Sequence, residues 1–219
     1  MIDLYVVTDR GLSRGRTNPE IARMAYEGGA DIVQLRMKDA LGKELLAQAK
    51  EIKEIADEMG KLFIVNDRVD IAMASEADGV HLGQEDIPLT YAREIIGDGA
   101  IIGISVNTVE QAVEAYENSA DYVSPGAIFS TNTKKGGFQR LGLDLITGIR
   151  EAVPDIPIVA IGGINLGNVS DVIKAGADSA AVVSAVVNQD DPVEAARRLT
   201  EQIVKVKSEM RSAKRKLKK

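Results

Sequence analysis

Short, wholly apolar runs punctuate the chain, and between them apolar positions recur every three or four residues. Four runs are plain: Leu4–Val7, 62–65, 101–104 and 158–161. Four more open on an Ala-Asp pair, at Ala30-Asp31-Ile32-Val33, Ala77-Asp78-Gly79-Val80, Ala120-Asp121-Tyr122-Val123 and Ala177-Asp178-Ser179-Ala180. The aspartates of these pairs lie 47, 43 and 57 residues apart. One strand–helix unit takes roughly 20–30 residues, so each interval holds two units. Continuous rather than alternating apolar runs are what parallel strands covered on both faces require.

The stretches between the runs carry helix signals. Asn18-Pro19 reads as a cap followed by proline at the first helical position, and Gly28-Gly29 ends that helix. Residues 43–59 present an apolar stripe at Leu45, Leu46, Ala49, Ile52, Ile55 and Ala56, closed by Gly60. Pro88 opens another helix, and Thr108 with Gln111 resembles a capping box. Leu143–Ala152, 169–175 and 192–206 complete the set. The alternation predicts an α/β fold of one domain, a single (β/α)8 TIM barrel with eight parallel strands and outer helices over residues 1–206. The basic remainder, 207–219, reads as a solvated helix end, frayed at its tip.

Composition narrows the chemistry. The 219 residues suit one barrel, and a hydrophobic content of 45% is enough for a sizeable core. With 27 basic against 33 acidic residues the net charge is −6, which argues against a nucleic-acid partner. A basic site in such a chain is local and built for a small anion. The absence of cysteine excludes disulfides, thiolate catalysis and cysteine-ligated clusters, and a single histidine, His81, excludes multi-histidine metal sites. Neither a signal-peptide pattern nor a membrane-length apolar run is present, so a cytoplasmic protein without membrane contact is expected. No apolar stripe specifies an oligomer, which leaves a homo-oligomer open.

A barrel of this kind places its active site where the strands end. The runs exit into Thr8-Asp9-Arg10, Gln34-Leu35-Arg36-Met37-Lys38, Asn66-Asp67-Arg68, His81 to Asp86, Ser105, the loop Ser130 to Lys134, Gly162-Gly163 and Ser184. In an extended segment Gln34, Arg36 and Lys38 share one face while Leu35 and Met37 share the other. An amide, a guanidinium and an ammonium on one edge suit a highly anionic group, phosphate foremost. A solvated basic strand end is the plain alternative.

The ordered set QLRMKD (34–39), NDR (66–68), DGVHLGQED (78–86), GIS (103–105), TNTK (131–134), AIGGI (160–164) and VVSA (182–185) resembles the thiamine-phosphate synthase (thiamine-phosphate pyrophosphorylase) family over nearly the whole chain. The resemblance implies a transferase of thiamine biosynthesis. Its reaction joins 4-amino-2-methyl-5-(diphosphooxymethyl)pyrimidine to 4-methyl-5-(2-phosphooxyethyl)thiazole, or the carboxylated precursor of that thiazole, and releases pyrophosphate. It implies one Mg2+ per subunit on Asp67 and Asp86, and Arg36, Lys38 and Lys134 as the catalytic cations. The pyrimidine diphosphate is expected on Gln34, Leu35, Arg36, Met37, Lys38, Asn66, Ser105 and Lys134. The thiazole phosphate is expected on Thr131, Asn132, Thr133, Gly163, Val183 and Ser184.

The residue types suit this chemistry. Cations beside a carboxylate pair can hold a metal-bound diphosphate, because magnesium prefers a few carboxylates completed by phosphates and waters. Glycines after the seventh run permit close backbone approach to a second phosphate. Plainer roles exist: Asn66 as a turn residue, Asp67 and Asp86 as caps or loop charges, and the glycine pair as a tight turn. His81, between Val80 and Leu82, reads as a structural or supporting residue. Ser130 and Asn107, where proline and histidine are frequent in the family, depart from its pattern, as does Lys135-Gly136-Gly137-Phe138. Two alternatives remain: a thiazole tautomerase of the same fold, and a non-catalytic thiamine-precursor binding protein. Neither has a use for the full cation and aspartate set.

Overall fold

The structure, a computed structural model, describes residues 2–130 and 140–217. Its strands are β1 (Leu4–Val7), β2 (Ile32–Leu35), β3 (Leu62–Asn66), β4 (Gly79–Leu82), β5 (Ile101–Val106), β6 (Tyr122–Pro125), β7 (Val159–Ile161) and β8 (Ser179–Val182). All pair in parallel in the order β6-β5-β4-β3-β2-β1-β8-β7. A bridge between Val123 and Ile158 joins the two ends, and Val123 N donates to Pro157 O at 3.0 Å. The barrel closes there. The expected strand set is the observed one, with β3 and β5 running on to Asn66 and Val106.

Around the barrel lie α1 (Asn18–Glu27), α2 (Gly42–Met59), α3 (Val69–Ala74), α4 (Leu89–Ile96), α5 (Val109–Glu117), α6 (Leu143–Ala152), α7 (Val169–Lys174), the single turn α8 (Ser184–Val187) and α9 (Pro192–Leu217). Two differ from expectation. Thr17 rather than Asn18 caps α1, because Thr17 and Glu20 complete a capping box while the Asn18 amide is drawn inward to Gln48. Ser184, expected as a strand end, begins α8. The last helix runs on to Leu217, and near 206 it is tied to the barrel, where Lys207 Nζ reaches Asp3 at 2.5 Å and the Ile2 carbonyl at 3.1 Å.

Alternating side chains divide the core into two layers. Val33, Leu35, Phe63, Val65, Val80 and Leu82 face the helices. Tyr5, Val7, Ile32, Ile64, Tyr122, Val159 and Ala181 form a separate cluster inside the barrel. The strands are apolar on both sides for this reason.

The Ala-Asp repeat has a single structural meaning. Each aspartate precedes an even-numbered strand and takes the backbone N–H that opens the odd-numbered strand beside it. Asp31 Oδ2 accepts from Asp3 N at 2.8 Å, Asp78 Oδ2 from Phe63 N at 2.7 Å, Asp121 Oδ2 from Ile102 N at 2.7 Å and Asp178 Oδ2 from Ile158 N at 2.9 Å. Each also meets a cation: Lys61 at 3.2 Å, Lys53 at 3.4 Å, Arg93 at 2.6 Å and, for Asp178, Arg150. The clasps join the strands in pairs at the N-terminal end of the barrel, the end that carries stability rather than chemistry in this fold. Among the described residues no helix is long and apolar enough to cross a membrane.

Candidate active site

A cavity of ≈ 1090 Å³ opens at the C-terminal ends of the strands. Gln34, Arg36, Met37, Lys38, Asn66, Asp67, Asp86, Ser105, Gly163, Val183 and Ser184 all line it. Leu35 does not: its side chain is fully buried in the layer beneath the helices. The alternation of an extended strand turns it outward, as expected, so any part of Leu35 in holding a ligand falls to its backbone. Thr131, Asn132, Thr133, Lys134 and residues 135–138 lie outside the described residues.

Met37, expected to share the outward face, departs from alternation. β2 ends at Leu35, so the rule no longer governs the next residues, and Met37 lines the cavity beside Arg36 and Lys38. Arg36 is fastened at its backbone, where its N–H donates to Thr8 Oγ1 at 3.1 Å, and its guanidinium lies 3.7 Å from Asp9. The Asp9 carboxylate is held in turn by the N–H groups of Gly11 at 2.9 Å and Leu12 at 3.2 Å. Thr8 and Asp9 were legible only as polar residues at the exit of the first run; their service to Arg36 needed the fold.

Beside this edge, at the exits of β3 and β4, stand the aspartates. Asp67 takes a left-handed backbone, φ 63°, and its N–H donates to the His81 carbonyl at 2.8 Å. Aspartate tolerates that region better than most residues, and the turn brings the carboxylate into the cavity wall. Asp86 Oδ2 accepts from Gly83 N at 2.7 Å, folding the β4 exit back toward Asp67. Burial first, then the hydrogen-bonded Asp86 carboxyl, pushes the Asp67 carboxyl above the usual aspartate range, while Lys38 and Arg36 pull it back. Lys38 Nζ stands 3.8 Å from Asp67 Oδ2.

Two touching carboxylates that resist sharing negative charge suit a divalent cation. Among the described residues no group of three or more metal-ligating side chains exists. An ion here would take its other ligands from water and from a bound phosphate, which is magnesium's habit and unlike a closed structural site.

The floor of the cavity is a hydrogen-bonded row crossing the barrel. Gln34 Nε2 donates to Tyr5 OH at 2.8 Å, and Tyr5 OH meets Tyr122 OH at 3.0 Å. Tyr122 OH meets His81 Nδ1 at 2.9 Å, and His81 Nε2 meets Ser105 Oγ at 2.9 Å. Burial pushes the pKa of both phenols well above the ordinary tyrosine range. Gly103 makes the row possible. It pairs with His81 on one side and Tyr122 on the other, and a Cβ there would lie 1.9 Å from the Tyr122 ring. Tyr122 therefore reaches across β5 to His81 only because position 103 has no side chain. The supporting role read for His81 matches this place in the row. Tyr5 and Tyr122 were missed; a tyrosine inside a run buried on both faces is the signal, because its hydroxyl needs a partner there.

The far edge is made of backbone. Gly163, at φ 65°, packs where a Cβ would stand 2.7 Å from the Ser130 carbonyl, so the β7 exit abuts the start of the loop after β6. Val183 and Ser184 lead into α8 beside it. Together these residues form an apolar and amide-rich rim facing the charged one.

A family profile described as thiamine monophosphate synthase matches residues 4–186. A thiamine-phosphate synthase of Methanocella arvoryzae is 52% identical over 90% of this chain and 92% of its own length. One of Methanoculleus marisnigri is 50% identical over 95% and 99%. Among solved structures, a thiamine phosphate pyrophosphorylase from Pyrococcus furiosus superposes with a TM-score of 0.86 at 41% identity, covering 94% of this chain and 96% of that one.

Proposed function

The chain belongs to the thiamine-phosphate synthase family, a family of transferases, and from that premise we propose how its barrel mouth performs the reaction. Arg36 and Lys38, joined by Lys134, hold the diphosphate of the pyrimidine substrate. Asp67 and Asp86 would hold one Mg2+ per subunit beside it. Bound there, the ion neutralises charge that gathers on the leaving pyrophosphate. Gln34, Asn66 and Ser105 orient the aminopyrimidine ring, with Met37 against it. Gly163, Val183 and Ser184, with Thr131, Asn132 and Thr133, receive the thiazole phosphate.

The bond between the pyrimidine methylene and the diphosphate oxygen breaks with its electron pair leaving on pyrophosphate. Arg36 and Lys38 stabilise that charge electrostatically. The methylene cation is delocalised by the aminopyrimidine, and the thiazole nitrogen then supplies the pair for the new carbon–nitrogen bond. No enzymic nucleophile takes part, in keeping with a chain that has no cysteine.

One observation carries this reading: Arg36, Lys38, Asp67 and Asp86 converge in one cavity opposite the rim of Gly163 and Ser184. A phosphate-only site would not need the carboxylates. The test is formation of thiamine phosphate by purified protein given both substrates and Mg2+. Asp67→Ala with Asp86→Ala should abolish turnover and leave thiazole phosphate binding within about twofold, since those residues lie across the cavity from its rim. Absence of product from the wild-type protein, with or without magnesium, overturns the reading.

A further inference from the structure

We propose that Tyr5, Tyr122 and His81 are positioning residues whose hydrogen bonds run in one direction, so that Gln34 presents its amide oxygen to the substrate ring and Ser105 its hydroxyl proton. The inference rests on the reading above, in which an aminopyrimidine lies against Gln34 and Ser105. It adds which donor and which acceptor the ring meets and what sets them.

The direction follows link by link. The Gln34 Nε2 amide nitrogen, 2.8 Å from Tyr5 OH, can only donate. Tyr5 OH, having accepted, has one proton to give, and the hydroxyl within reach is Tyr122, at 3.0 Å. Tyr122 OH accepts it and sends its own proton to His81 Nδ1 at 2.9 Å. Nδ1 is then an acceptor, which leaves the ring proton on Nε2, 2.9 Å from Ser105 Oγ. Ser105 Oγ accepts that bond, and its own proton is left for a ligand. Burial keeps each phenol protonated, so every link has a single proton to pass on.

The two ends therefore differ in kind and are tied together. Gln34 offers an acceptor and Ser105 a donor. A 4-aminopyrimidine carries the complement, an exocyclic N–H beside ring nitrogens that accept. A pyrimidine bearing oxygen in place of the amine would oppose its carbonyl to the Gln34 oxygen. An unpaired polar contact of that kind in a buried site costs far more affinity than a lost apolar one. Turning the Gln34 amide over would reverse every link, move the ring proton to Nδ1 and swap both ends, so the polarity is a measurable property.

His81 is the chain's one histidine, which makes the measurement direct. Protein labelled with 15N-histidine, examined without substrate near neutral pH, should show the Nε2–H tautomer in its ring nitrogen shifts and couplings. A predominant Nδ1–H tautomer, or an imidazolium, overturns the proposal. In Tyr122→Phe the tautomer preference should relax toward a mixture. KM for the pyrimidine diphosphate should rise about tenfold, with kcat and KM for the thiazole phosphate held within about twofold, as expected for one lost buried hydrogen bond. Tyr5→Phe interrupts the row one link earlier and should do the same, which keeps the test open if Tyr122→Phe fails to fold. An unchanged tautomer in both variants overturns the role assigned to the tyrosines. A wild-type protein that holds Nε2–H yet forms no thiamine phosphate overturns the reaction and the ring's identity, leaving the polarity of the row intact.

Discussion

Among single side chains, Asp67 is where opposing influences meet. Burial and the Asp86 carboxyl raise its pKa, while Lys38 and Arg36 lower it, and the raising side wins. In the fold Asp67 thus keeps a proton at pH values where an unfolded aspartate has lost it. The folded state binds more protons through a window just above the ordinary aspartate range. Metal-free protein therefore loses stability as pH rises through that window, and below it the contribution is fully present. Urea unfolding in EDTA, compared between wild type and Asp67→Asn from about pH 4 to 7, should show the wild type falling more steeply with rising pH. Equal slopes would refute it. Residue types made this much of the site legible: Arg36, Lys38, Asp67 and Asp86 are polar where apolar strands end. Tyr5 and Tyr122 stayed hidden because tyrosine in a buried run reads as apolar, and only the barrel's closure brings β1 and β6 face to face across it. Leu35 shows the converse, since a motif neighbour of Gln34 need not share its face.

Among elements, the four Ala-Asp pairs were legible as a repeat, and their spacing set the strand count. Their purpose was not, because each aspartate acts on the strand before its own, 15 to 28 positions away in the chain. Removing the Asp178 carboxylate leaves the Ile158 N–H without its acceptor and takes from half-buried Arg150 its charged partner, although the guanidinium keeps the carbonyls of Pro154, Ile156 and Gly176. Asp178→Ala should therefore lower the unfolding free energy by about 1–3 kcal/mol, read from the denaturant midpoint, with kcat within about twofold of wild type. A loss of activity without a loss of stability would remove the structural role. The helix ends were less legible than the strands. Thr17 and Asn18 are both good caps by type, and the choice between them rests on Glu20 and on Gln48 across the α1–α2 contact.

For the whole molecule, the barrel was readable because both its layers demand apolar strands, whereas the anchor of the last helix was not. The basic segment after residue 206 looks solvated by composition, yet Lys207 is anchored on Asp3 and Ile2, and Met210 packs against the outer core. Truncation after residue 206 should lower the unfolding free energy by about 1–3 kcal/mol while leaving KM for both substrates unchanged. An unaltered thermal midpoint would show that the segment contributes nothing to the fold. The clasps carry a further consequence. One end of the barrel is written four times in nearly the same words, and the other is written once, with no two strand exits alike. A lineage can then rewrite its chemistry without renegotiating its foundation. Exchanging the loops that follow β2, β4 or β6 between relatives of different activity trades catalytic vocabulary while the grammar of paired strands beneath goes on being inherited whole.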